Sequence, residues 1–295
     1  MRKPYLLTAA RSEVLGTPVT LRFRSPLLDL EFAILLGTAL TTGCLGDPAT
    51  AQAPGPEDCK VLFIGNSLTY FNAQPSIVEQ MATAAGKNVY IDQAMMGGAT
   101  LEDHAQSSQT LGKIREQPWD FVVLQQAIMA VAFPDMHESI IDPIMTLKDA
   151  VLGVNGNARI VYFMDYSMRD GLYWLGQYYS YSASQQMLYD GTLALAETLD
   201  MSVAPIGWAW NTVMRDSPQL DLYAEDNAHP SYLGSYLGAA VYFSTIFQEM
   251  VTGAAHSGIA TSDEASYLQT VGSRMVLDSL NLWRLPSLEG PCGAQ

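Results

Sequence analysis

Five short runs rich in apolar, strand-forming residues recur along the chain: Lys60 to Ile64, Asn88 to Ala94, Phe121 to Leu124, Arg159 to Met164 and Ser202 to Ile206. The gaps between them are long enough for a helix, and helical stretches are expected at about 74–85, 101–116, 140–152 and 184–199. Strands and helices alternating at this spacing imply βαβ units, hence a parallel sheet covered on both faces. The runs Val61 to Ile64 and Phe121 to Leu124 are continuously apolar, as strands buried on both sides should be. A closing helix pair is expected over Ser231 to Met250 and about Ser262 to Trp283, with Gly253 to Gly258 as the loop between them. Thr261-Ser-Asp-Glu264 is a capping-box sequence, whose hydroxyl and carboxylate satisfy orphan N–H groups at a helix start. With 48% hydrophobic and 15% charged residues among 295, the chain can bury a core of one large domain or two small ones.

The first 53 residues read as a leader rather than as fold. Arg22 and Arg24 precede an apolar run, Phe32 to Leu40, and small residues follow, ending in Ala51-Gln52-Ala53. That order is the n-region, h-region and A-x-A site of an export signal, although Asp29 and Glu31 sit unusually close to the apolar run. The run is far shorter than the roughly 20 apolar residues that span a bilayer, so cleavage and export are expected rather than a membrane span. Thr41-Thr42-Gly43-Cys44 offers a second outcome, a lipid anchor at Cys44, with Thr41 where lipoprotein sites usually carry Leu. A short linker, residues 54–59, follows. Loss of the leader leaves two cysteines, Cys59 and Cys292, and in an exported protein a pair suggests a disulfide, two free thiols being the alternative. The formal charge of -15 excludes phosphate-backbone binding as the expected function, so no nucleic-acid partner is anticipated.

Chemistry gathers where the expected strands end. Val61-Leu-Phe-Ile-Gly65-Asn66-Ser67 delivers a hydroxyl to the carboxyl edge of the sheet, where ligands of open α/β sheets bind; Ser67 is a candidate nucleophile, unless Asn66-Ser67 merely turns the chain and caps a helix. Asp226-Asn-Ala-His229-Pro230 places a carboxylate three residues before an imidazole, a pairing that can orient a general base, and equally a surface turn with a capping Asp. Gly97-Gly98 permits close backbone approach and can aim an N–H at a developing oxyanion, or simply turn. Gln125-Gln126 puts two amides just beyond the third strand, as oxyanion donors or as ordinary loop.

Taken together and in this order, these blocks resemble the SGNH hydrolases of the GDSL esterase superfamily. Gly65-Asn66-Ser67-Leu68-Thr69 is similar to the nucleophile block, with Gly-Asn-Ser in place of the commoner Gly-Asp-Ser; Gly98 matches the second-block glycine, and Asp226-x-x-His229-Pro230 the final block. The similarity spans about residues 58 to 250. It implies a flavodoxin-like three-layer α/β/α fold with a five-stranded, mainly parallel sheet, in a single domain over residues 60–295. It further implies Ser67 as nucleophile, His229 as base, Asp226 as its orienter, and an oxyanion hole from the Ser67 and Gly98 N–H groups. The third block departs from the family pattern: where an Asn is usual, the sequence reads Trp119-Asp-Phe-Val-Val-Leu-Gln125-Gln126-Ala127, making Gln125 the first choice of side-chain donor and Gln126 the reserve.

The resemblance implies an esterase that needs no cofactor and hydrolyses small acyl esters, acetyl esters on carbohydrate being the first substrate class expected. A short-chain lipase or thioesterase and a non-catalytic glycan-binding protein are the alternatives. His104, His137 and His256 have no ligand-like spacing, so no metal site is expected. His104 is a candidate for lining the pocket, near Gly98. The run Tyr173-Trp174-Leu-Gly-Gln-Tyr178-Tyr179 carries aromatic rings that can stack on sugars or wall a pocket, and Trp208 is a candidate for the same mouth.

Overall fold

The computed structural model describes residues 54–55, 58–251, 254, 260–288 and 290–293. The expected leader, its cleavage site and Cys44 lie outside the described residues, as does most of the loop expected over Gly253 to Gly258.

Strands β1 (Cys59–Gly65), β2 (Val89–Met95), β3 (Phe121–Leu124), β4 (Arg159–Phe163) and a short strand, Ser202–Ala204, form one parallel sheet. Between β4 and that last strand lies a separate antiparallel hairpin, β5 (Leu172–Trp174) and β6 (Gln177–Tyr179), so the last sheet strand is β7. The sheet order is β2-β1-β3-β4-β7, the flavodoxin-like order in which the chain reverses direction of travel between β1 and β3 and opens a crevice at their carboxyl ends. Register is continuous there, with Ile64 paired to both Ala94 and Leu124.

Helices cover both faces. They are α1 (Ser67–Tyr70), α2 (Gln74–Ala84), α3 (Leu101–Gln106), α4 (Ser108–Glu116), α5 (Ile128–Ala132), α6 (Pro134–Leu152), α7 (Tyr181–Thr198), α8 (Ile206–Asp216), α9 (Tyr232–Phe247) and α10 (Ser262–Leu277). The two-residue period of the strands divides the core. Val61, Phe63, Val123, Val161, Phe163 and Val203 pack against α2, α8, α9 and α10, whereas Leu62, Ile64, Val122, Leu124 and Tyr162 face α3 to α7. Helix α9 is buried from Gly234 to Phe247, as a helix apolar all round must be. Gly272 of α10 lets it close on α9, since a Cβ there would lie 2.9 Å from the Ala240 Cβ. Among the described residues no helix is long and apolar enough to cross a membrane.

Where elements differ from expectation, local chemistry explains it. The strand expected to reach Ile206 stops at Ala204, because Pro205 caps α8, which follows at once. Ile206, Ala209, Trp210 and Val213 then bury one face of α8 at helical spacing. The single helix expected over 101–116 breaks at Ser107, whose extended backbone and side-chain oxygen cap α4 at the Thr110 N–H. Helix α6 starts at Pro134, six residues early, with proline in its first turn, where a missing N–H costs nothing. The hairpin turns at Leu175 and Gly176, both at positive φ (47° and 82°), the conformation a two-residue hairpin loop demands. The capping box at Thr261 and Glu264 forms as read.

Cys59 and Cys292 are joined in a disulfide across 233 residues, with Cα atoms 4.9 Å apart. One group of metal-type ligands converges among the described residues, these two cysteines with Asp120, and its sulfurs are spent in the bridge. By the loop-entropy model, a closure this long contributes about 5.5 kcal/mol, less any strain. The Cys59→Ser/Cys292→Ser protein is therefore expected to unfold at a clearly lower urea midpoint than the parent. Coincident midpoints would mean that the bridge does not restrain the unfolded chain.

Candidate active site

Strand β1 leaves the sheet at Gly65, and the next three residues are fixed from several sides. The Asn66 N–H donates to Gln125 Oε1 (2.8 Å), its Nδ2 donates to the Ala99 carbonyl (2.9 Å), and its Oδ1 accepts from the Leu68 N–H (3.1 Å). Asn66 thus caps α1 while binding the loop after β2, which is why an amide serves where a carboxylate is commoner: a carboxylate has no donor for the Ala99 carbonyl. Gly65 has no room for a side chain, since a Cβ would lie 2.8 Å from Gln125 Oε1 and 3.1 Å from Thr69 Oγ1. Ser67 opens α1.

The imidazole arrives from the loop before α9. Ala224 N–H donates to the His229 carbonyl (2.8 Å), Ser231 N–H to the Leu222 carbonyl (2.8 Å), and Asn227 turns the loop at φ 60°. His229 Nε2 lies 2.8 Å from Ser67 Oγ, and its Nδ1 lies 2.5 Å from Asp226 Oδ2. The other Asp226 oxygen accepts the N–H groups of Ala228 (3.0 Å) and His229 (2.9 Å). The imidazole hydrogen bond, aided by these two backbone donors, holds the Asp226 carboxyl down at about 2, so it is ionised at any working pH. The site is open: the side chains of His229 and Asp226 are 28% and 50% exposed.

Two residues that sequence reasoning missed complete this arrangement. The Phe71 ring stacks on the His229 imidazole at 4.4 Å and 15°. Asn72, at φ 53° between α1 and α2, donates through Nδ2 to the Pro230 carbonyl (3.0 Å) and Ser235 Oγ (2.9 Å), tying the nucleophile segment to the histidine loop. An Asn just before a helix that opens on Gln-Pro was a legible signal for a left-handed residue. Its partners, more than 150 residues away, were not.

The expected oxyanion residues divide. Gly98 is exposed at φ 69°, directly beyond β2, and neither its N–H nor that of Ser67 donates to another described residue. Gln125 requires a correction. It is fully buried, its Oε1 receives the Asn66 N–H, and its Nε2 donates to the Gln126 carbonyl (2.6 Å), so its amide is spent on building the strand exit. Gln126, the reserve, is held through Oε1 by the N–H groups of Leu101 (3.1 Å) and Ala127 (2.8 Å), and its Nε2 donates to no described residue. Of the two amides it is the one whose nitrogen is not already directed at a described carbonyl.

His104 does not line a pocket. It is fully buried, its Nε2 donates to the Gly65 carbonyl (3.0 Å), and its Nδ1 accepts from the Thr110 hydroxyl (2.9 Å). Burial pushes this imidazole down and keeps it neutral, so it supports the end of β1 from behind. His137 caps the Val131 carbonyl (2.8 Å), and His256 lies outside the described residues. Trp208 packs on Tyr189 (4.4 Å), whose ring meets Trp283, a contact between α7 and α8 rather than a site wall. Trp174 stacks on Phe133 (5.5 Å), fastening the hairpin to the protein, while Tyr173 points to solvent.

At the end of β4 lies a group that sequence reasoning did not single out. Asp165 is fully buried, and neither carboxyl oxygen is hydrogen-bonded to a described residue. Burial drives its carboxyl well above the usual carboxylate range, and burial likewise raises the hydroxyls of Tyr162, Tyr166 and Tyr242, with Asp165 a lesser cause. Cavities of about 640 and 540 Å³ lie elsewhere, at the amino edge of β3, β4 and β7, lined by residues such as Arg159 and not by the Ser67 group.

The fold is of the three-layer α/β/α class found in SGNH hydrolase structures. The chain superposes on a DUF4886 family protein from Bacteroides uniformis with a TM-score of 0.64 at 17% identity, over 75% of this chain and 95% of that one. It superposes on a candidate SGNH hydrolase from Slackia heliotrinireducens with a TM-score of 0.52 at 24% identity, over 63% of this chain and 98% of that one. At such identities the likeness is one of fold. No protein-family model matches the sequence, and no curated protein does.

Proposed function

We propose that this protein is an exported serine esterase that removes small acyl groups, acetyl above all, from carbohydrate. One observation carries the reading: Ser67 Oγ stands 2.8 Å from His229 Nε2, with Asp226 2.5 Å from the other ring nitrogen. In the reaction, His229 Nε2 takes the Ser67 proton while Oγ bonds to the ester carbon. The carbonyl electrons move onto the oxygen, which faces the undirected N–H groups of Ser67 and Gly98 and the Gln126 amide. Collapse breaks the bond to the alcohol, and His229 returns the proton to that leaving oxygen. Water repeats the sequence on the acyl-enzyme, releasing the acid and restoring Ser67. Asp226, anionic throughout, fixes the tautomer and balances the imidazolium. These steps need no cofactor.

The openness of the triad favours a substrate whose alcohol part is bulky, and the tyrosine-bearing hairpin, itself uncharged and joined through Asp170 to the His229 loop, suits a sugar better than an ionic group. Export is supported by the Phe32 to Leu40 run with its A-x-A site, and by a disulfide, which persists in oxidising compartments. Hydrolysis of aryl acetate, butyrate and octanoate esters by the wild type tests the acyl preference. The acetate is expected to be cleaved with the highest kcat/KM, followed by acetate release from acetylated polysaccharide. Preference for octanoate would replace this reading with a lipase or thioesterase, and inactivity toward all three would favour a glycan-binding protein.

A further inference from the structure

The hairpin β5–β6 has two unlike faces. Leu172, Trp174 and Tyr179 turn inward: Leu172 is buried, and Trp174 and Tyr179 both meet the Phe133 ring at 5.5 Å. Tyr173 and Tyr178 stand opposite each other in the register, so their rings project from the outer face, 70% and 57% exposed. In a chain with a net charge of -15, no charged residue occurs between Asp170 and Asp190. The hairpin itself offers aromatic rings and hydroxyls and carries no charge, with Asp170 at its base.

The hairpin is also wired to the catalytic loop. The Tyr178 hydroxyl donates to the Asp170 carbonyl (3.0 Å), and the Asp170 carboxylate accepts from Asn227 Nδ2 (3.2 Å). The Arg169 N–H donates to the Asn227 carbonyl (3.0 Å). Asn227 lies between Asp226 and His229, so two residues, Asp170 and Asn227, connect the tyrosine face to the triad.

We propose that Tyr173 and Tyr178 form a carbohydrate-binding platform, on which a sugar ring of a polymeric substrate stacks while a neighbouring acylated sugar reaches Ser67. A sugar ring has one face lined by C–H groups and an equator of hydroxyls. An exposed tyrosine removes the first from water and its phenol hydrogen-bonds the second. The platform extends the esterase reading by assigning the substrate to polysaccharide rather than to free sugar esters, but binding to it does not depend on turnover.

The test therefore separates the two. On a Ser67→Ala background, retardation in gels containing acetylated xylan or acetylated glucomannan is expected for the parent, lost in Tyr173→Ala/Tyr178→Ala, and kept in Tyr173→Phe/Tyr178→Phe, which preserves the rings and controls for folding. With Ser67 intact, the ratio of polysaccharide deacetylation to aryl acetate hydrolysis is expected to fall at least tenfold in the Ala pair. Equal mobility of parent and Ala pair, retardation of the parent in neither gel, or an unchanged ratio would overturn the platform. So would dimerisation of the parent, by light scattering, that the Ala pair abolishes. If the intact protein cleaves no ester while the parent is still retarded through these rings, the esterase reading falls and the platform stands.

Discussion

Ser67→Ala is expected to lower kcat for aryl acetate hydrolysis by about 10⁴- to 10⁶-fold, with the fold unchanged. The side chain makes one hydrogen bond, to His229 Nε2, so removing it leaves no buried group without a partner. What is lost is the atom that forms the acyl bond. His229→Ala should cost a similar amount, and the double variant little more than either single one, because nucleophile and base act as a unit. Asp226→Asn is the sharper probe of geometry. An amide can donate to Nδ1 and so favour the tautomer whose Nε2 already carries a proton, an error worth about 10⁴-fold in a comparable triad. Here the solvent exposure of the carboxylate should soften the effect. Steady-state rates on aryl acetate, with mass detection of an acyl group trapped on Ser67, check all three. A Ser67→Ala protein retaining activity within tenfold of the parent would move the nucleophile elsewhere.

Asp165→Asn is expected to change how stability depends on pH. The Asp165 carboxyl is driven upward by burial, with neither oxygen hydrogen-bonded to a described residue. The folded protein therefore keeps a proton that the unfolded chain releases above the ordinary carboxylate value, near 4. Its contribution to stability is fully present below that value and is lost as pH rises toward the raised folded value. The slope can reach about 1.4 kcal/mol per pH unit over that range, so stability should fall as pH rises from 5. Asn, similar in size and without a titrating proton, removes the slope. Buried His104, pushed the other way, adds an opposite slope to both proteins and cancels in the comparison. Urea midpoints at unit steps from pH 5 to pH 8 measure the difference, and parallel curves for the two proteins would show that Asp165 ionises normally.

The fold was legible where one physical rule acted alone. The unbroken apolar runs at Val61 to Ile64 and Phe121 to Leu124 had no competing reading, and β1 and β3 formed there. Pro205-Ile206-Gly207 was ambiguous, because an apolar stretch after a strand extends it equally well as it starts a buried helix, and only the contacts of Trp210 and Val213 decide. At the site, residue type and order were enough to bring Ser67, His229 and Asp226 to attention as a set. They were not enough for Gln125, where the pattern supplies an amide and only the coordinates say where its Nε2 is spent. His104 was misread for the same reason. Its nearness to Gly98 in sequence says nothing about which side of β1 it occupies. Phe71, stacked on a ring from the other end of the chain, had no local signal at all.

The disulfide makes the described domain nearly circular. Cys59 begins β1 and Cys292 lies in the last described segment, so the first and last described segments meet at the amino edge of the sheet. The Ser67 hydroxyl stands at the other end of β1, about 20 Å away along a seven-residue strand. A surface or partner that held the domain at this bridged edge would thus leave the catalytic rim pointing outward, free to work along a substrate too large to diffuse to it.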